Sequence, residues 1–176
     1  MTHDAFDTLV SAMDNPLIVV TTAEAGERAG CLVGFHVQSS IDPQRYCLWL
    51  SKANHTYRVA LRSSHLAIHY LTTDDLPLAE LFGTKSGDTV DKFAGLAVEA
   101  GPGGAPLLRQ CPNWLAVRRI TLLDEGGDHV SLTAEPVAAH TGGRFQPLRL
   151  SSAAHLEPGH GAQERPDPPT ERAAPH

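Results

Sequence analysis

Apolar residues in this chain come in short runs, and the longest of them, Pro16-Leu17-Ile18-Val19-Val20, is only a strand's worth. A membrane-crossing helix needs about 20 such residues in a row. What recurs instead is the β-branched or alternating segment bounded by Gly, Pro and Asp, at residues 17–22, 31–40, 46–50, 65–71, 114–122 and 129–138. The last two flank Asp124-Glu125-Gly126-Gly127 and read as a hairpin. Helical spacing occurs only in short pieces, at residues 5–13 (Phe6, Leu9, Val10 and Met13 on one face), 56–63 and 76–82. Many antiparallel strands with two or three short helices predict a mainly β fold, a barrel or sandwich, and exclude a doubly wound sheet.

The chain has 176 residues, enough for one domain with a real core. Its net charge of −6 argues against nucleic acid or an anionic membrane as the main partner. Residues 1–14 lack the basic-then-apolar order of a secretory signal. Three widely spaced cysteines, Cys31, Cys47 and Cys111, form no disulfide framework and suit a reducing, cytoplasmic setting. Composition shifts after residue 151: residues 152–176 hold five prolines, no aromatic residue and one large apolar residue, Leu156. Such a stretch has little to bury against its ordering entropy, so it is expected to be a disordered tail behind a domain of residues 1–151.

Several chemistries are absent from the pattern. No G-x-G-x-x-G follows a strand, and no P-loop, G-x-S-x-G or H-E-x-x-H occurs. His65 and His69 would share a metal on a helix. On a strand, where Leu66, Ile68 and Tyr70 alternate with them, the same spacing separates them by about 13 Å. No metal site is expected.

Three polar groups of residues remain. Lys52-Ala53-Asn54-His55-Thr56 joins a strand to a short helix, with Thr56 placed to cap it. Free N–H groups and the dipole there attract an anion to which Lys52 would add charge, although caps and solvated lysines look the same in sequence. The stretch Gly34, Phe35, His36, Val37, Gln38, Ser39 and Ser40 has a glycine inside a strand, which marks either a barrel bulge or a close approach of ligand to backbone. His129 opens a strand after the flexible Gly126-Gly127-Asp128 and reads either as a turn residue or as a catalytic one.

Taken in order, these segments resemble the flavin reductase-like, FMN-binding split-barrel family. The likeness begins with Pro16 to Thr22, an opening strand ending in V-T-T, and continues through Gly30 to Pro43, similar to the family's flavin strand. It then takes in Lys52 to Thr56, Leu78-Ala79-Glu80-Leu81-Phe82, Asp91-Lys92-Phe93, Pro106-Leu107-Leu108 and Gly127-Asp128-His129. The sequence departs from the family where hydroxyls of the flavin strand are missing, where Glu135-Pro136-Val137 replaces G-x-V, and where His69 replaces a frequent asparagine. The resemblance implies a split β-barrel homodimer and an NAD(P)H-dependent flavin reductase, with hydride passing from NADH or NADPH to FMN, or to FAD. It also implies reduced flavin handed to a partner monooxygenase. Residues 34–40 and Phe93 would contact the flavin, Lys52, Asn54 and Thr56 would hold its phosphate, and His129 would position the nicotinamide. The alternatives are a flavin-binding electron carrier without reductase activity, or a split barrel using deazaflavin or haem.

Overall fold

The computed structural model describes residues 3–159. Helix α1 (His3–Ser11) precedes β1 (Ile18–Glu24), β2 (Glu27–Val33), β3 (His36–Ser40) and β4 (Arg45–Ser51). Then come α2 (His55–Ala60), β5 (His65–Tyr70), α3 (Leu76–Thr84), β6 (Val98–Ala100), β7 (Pro106–Leu108), β8 (Trp114–Leu123) and β9 (His129–His140). Seven strands form one antiparallel sheet in the order β2-β1-β5-β8-β9-β4-β3, and β6 pairs with β7 apart from it.

The predicted strand over residues 31–40 is in fact two strands at opposite ends of this order. Only Gly34 and Phe35 separate β2 from β3, so the two sheet edges must lie within a short step of each other. The sheet therefore curls into a split half-barrel, and Trp49 N–H donates to Phe35 O at 3.0 Å, extending the β3–β4 ladder back toward Gly34. Alternation along β1 shows how both faces are filled. Ile18 and Val20 point into the barrel with Val33, Leu48, Leu66, Ile68 and Leu132, while Leu17 and Val19 pack outward against Leu78, Phe82, Leu108 and Leu148. Two buried faces explain why this strand reads as an unbroken apolar run.

The predicted hairpin of β8 and β9 is present and longer than expected. Pro136 lies opposite Val117, where the register shifts, so the missing N–H falls at a bulge. His65 and His69 do lie on one strand, β5. His69 is fully buried, with Nδ1 3.2 Å from Val19 O and Nε2 accepting the Leu108 N–H at 3.0 Å. It ties β7 to the barrel wall.

Two features at the ends of the domain go beyond the sequence reading. The apolar face of α1 is left open among the described residues: Phe6, Leu9 and Met13 are 53%, 72% and 67% exposed. Of the stretch expected to be a tail, residues 152–159 are described and lie against the body. A 3₁₀ turn spans Leu150–Ala153, Ala153 is buried, Leu156 packs on the outer core cluster, and Gly159 N–H donates to Gly83 O at 3.1 Å. One leucine and one alanine suffice because the body already provides a greasy trough beside α3. Residues 160–176 lie outside the described residues.

Candidate functional site

A cavity of about 340 Å³ opens where β2, β4, α3 and the segment of residues 150–158 meet. Its two sides differ in chemistry. Along β4 the alternation puts Leu48 and Leu50 into the barrel core and turns Trp49 and Ser51 toward the cavity, Trp49 at its edge. Ser51 is in register with His129 of β9, so the end of β4 and the start of β9 form one polar wall. The chain then folds tightly: Asn54 N–H donates to Ser51 O at 3.0 Å, and Lys52 N–H to Asp128 O at 2.9 Å.

Asn54, not Thr56, caps α2, its Oδ1 accepting the Thr56 N–H at 2.9 Å. That frees Thr56 to turn inward, where it is buried. The hydroxyl oxygens of Ser51 and Thr56 are buried without a hydrogen-bond partner among the described residues, apart from the weak thiol of Cys31 beside Thr56. A buried hydroxyl left so costs about 1–3 kcal/mol, and of the two Ser51 lines the cavity while Thr56 does not. Burial pushes the Cys31 thiol above its ordinary range, which keeps it neutral and makes it wall rather than nucleophile.

His129 stands on the rim. Its Nδ1 lies 2.9 Å from Asp128 Oδ1, and the Phe35 ring meets it edge-on at 5.2 Å. The hydrogen bond from His129 holds the Asp128 carboxyl below the usual range. With Nδ1–H donated to that carboxylate, Nε2 is the nitrogen left to face an incoming group. The opposite wall is apolar: Leu17, Leu32, Phe82, Ala153, Leu156 and Pro158.

The expected site residues are distributed unevenly. Gly34, Asn54 and His129 line the cavity, and Phe35 adjoins it through His129. Lys52 reaches away, its Nζ 2.8 Å from Asp124 Oδ2 in the β8–β9 turn. His36 also turns away from the cavity, Nδ1 2.6 Å from Tyr46 Oη and Nε2 2.9 Å from Pro16 O, where burial lowers its pKa. Val37, Gln38, Ser39 and Ser40 lie along the edge strand β3, outside the cavity lining. Their displacement follows from the chain switch at Gly34, which carries everything after it to the far sheet edge. Phe93 is buried 5.6 Å from Phe82, edge to face, so it backs the apolar wall rather than lining it. Sequence reading missed Trp49 and Ser51, although period-2 spacing back from Lys52 marks them. It also missed Leu156 and Pro158, for which composition was misleading.

The family model described as flavin reductase like domain matches residues 10–152. A solved flavin reductase domain protein from Arthrobacter sp. FB24 is similar over 84% of this chain and 92% of its own, at 20% identity and a TM-score of 0.72. The flavin reductase HpaC, solved with NADP+, is similar over 84% and 99%, at 21% identity and a TM-score of 0.69. A Sinorhizobium meliloti protein is similar at 22% identity and a TM-score of 0.70 over 81% of this chain, which spans about half (49%) of that protein's length. These likenesses show the fold. The match across most of the described residues shows the family: the chain belongs to the flavin reductase like domain family.

Proposed function

We propose that the chain is an NAD(P)H-dependent flavin reductase that takes FMN in the cavity between β4 and α3. The observation that carries this reading is the buried Ser51 hydroxyl, which lines the cavity with no hydrogen-bond partner among the described residues at the entry to α2. A phosphate at that turn would give the Ser51 hydroxyl an acceptor. The facing wall of Leu17, Phe82 and Leu156 suits a flat apolar ring. The residues therefore fit a flavin mononucleotide. FMN, when bound, supplies a ring that accepts hydride from NADH or NADPH.

The chain's own residues do the rest. Gly34 brings backbone close to the cavity, Trp49 lines its edge, Ser51 and Asn54 hold the phosphate end, and the buried Thr56 backs that turn without lining the cavity. Lys52, paired with Asp124, sets the β4–α2 turn rather than meeting the phosphate directly. His129, clamped by Asp128 and Phe35, positions the nicotinamide from the rim. That HpaC is solved with NADP+ supports a nicotinamide donor. The exposed apolar face of α1 supports a homodimer, since a helix of nine residues needs a packing partner to persist.

Purified protein supplied with FMN is expected to oxidise NADH or NADPH. Oxidation of neither removes the reading. His129→Ala should keep flavin binding and slow reduction about tenfold at sub-saturating nicotinamide, because approach geometry alone is lost. Unchanged reduction would make His129 a turn residue.

A further inference from the structure

One wall of the cavity comes from beyond the family's domain, which ends at residue 152. The segment that follows is tied down at both ends. At the near end, Ser151 donates from its N–H and from its Oγ to the Asp14 carboxylate, each at 2.8 Å. At the far end, Gly159 N–H donates to Gly83 O on α3 at 3.1 Å. Between these anchors Ala153, Leu156 and Pro158 line the cavity on its apolar side. Leu156 N–H donates to Ala153 O at 3.0 Å, folding the segment into a turn instead of an extended chain.

The far anchor is built for glycine. A Cβ at Gly159 would stand 2.5 Å from Thr84 O and 2.7 Å from its carbonyl carbon. Those are backbone atoms of a packed helix end and cannot step aside. A segment seated this closely on α3, with its side chains against the cavity, closes that side of the pocket.

We propose that residues 153–159 are a strap over the ring end of the flavin pocket that slows flavin release, so the flavin is held as a resident cofactor instead of passing through as a substrate. This rests on the flavin-binding reading above. The strap residues that line the cavity, Ala153, Leu156 and Pro158, offer it only apolar side chains, so the strap acts on the ring and not on the phosphate. Release through this side requires breaking the Gly83 anchor and withdrawing Leu156 from the outer core, and variants in such a wall act mainly through the off-rate.

The test is the release rate of FMN and of riboflavin from the full chain, read as recovery of flavin fluorescence after dilution. Gly159→Ala loosens the anchor without touching the cavity, and Leu156→Ala trims the wall while leaving the anchor in place. Each variant should speed release of both flavins, about tenfold, because closure by the strap is what sets the off-rate. The preference for FMN over riboflavin should not change. Leu156→Ala keeps the test informative if Gly159→Ala fails to fold, which melting of the unliganded protein reports. Unchanged release in the folded variants overturns the strap alone. A change confined to FMN overturns it too, by moving the effect to the phosphate. If the wild-type chain takes up neither flavin, the flavin-binding reading fails, and the strap fails with it.

Discussion

The two walls of the cavity are built on opposite principles. On the apolar side every group is satisfied by packing: Phe82 is buried against Phe93, and Leu156 is seated on the outer core. On the polar side the Ser51 hydroxyl has no partner among the described residues, and that of Thr56 meets only the weak thiol of Cys31. One wall is finished by folding, and on the proposed reading the other is completed by a ligand. The difference separates residues whose loss should cost stability from residues whose loss should cost binding.

The largest effect should come from the finished wall. Phe82→Ala removes a side chain that is 1% exposed and leaves a cavity between α3 and β2, at about 3–5 kcal/mol. Chemical denaturation measures this loss, and the ratio of FMN to riboflavin affinity should not move. A loss under about 1 kcal/mol would mean the wall relaxes and is not the rigid half of the pair.

Next in size is the pH dependence of the same side of the barrel. Burial lowers the His69 pKa to about 4, and both ring nitrogens are already engaged by backbone. The folded state keeps this imidazole neutral where the unfolded chain takes up a proton. Stability is therefore fully present above about pH 6.5 and falls as pH drops toward 4, by up to about 3 kcal/mol. Below pH 4 the folded state binds the proton as well and the loss levels off. Denaturation midpoints of wild type and His69→Gln between pH 7 and 4 check it. The wild-type curve should fall more steeply, whereas parallel curves would assign the acid loss to other groups.

The smallest effects on stability, and the most telling, lie in the unfinished wall. Ser51→Ala and Thr56→Val should leave the unliganded protein as stable or slightly more so, because the first removes a buried group without a partner among the described residues and the second one met only by the weak Cys31 thiol. The same changes should weaken FMN by about 1–3 kcal/mol each and barely affect riboflavin. Equal losses for the two flavins would remove the phosphate assignment.

Most of the barrel was legible in the sequence because period-2 burial and turn residues are local signals. The β8–β9 hairpin, the β5 reading of His65 and His69, and the bulge at Pro136 all follow from neighbours in sequence. The split of residues 31–40 was not legible. A strand running through Gly34 and a strand switching sheet edges at Gly34 have the same local pattern, and only closure of the barrel distinguishes them. That one ambiguity carried His36, Val37, Gln38, Ser39 and Ser40 into an expected site whose cavity they do not line. Thr56 failed in a different way. Asn54 and Thr56 are both good caps, and the choice of Asn54 is what turned the threonine inward. Composition misjudged residues 152–159 because it counts what a segment can bury by itself and ignores the trough already formed by Leu17, Phe82 and Leu148.

The central claim is that the open hydroxyls await a phosphate, and its most direct test is a titration of the wild-type protein with FMN and with riboflavin, followed by quenching of flavin fluorescence. The account predicts saturable binding of both, with FMN tighter by on the order of 10- to 100-fold, the share of affinity carried by charge-assisted hydrogen bonds to the phosphate. Equal affinity for the two, or no saturable binding of either, would contradict it.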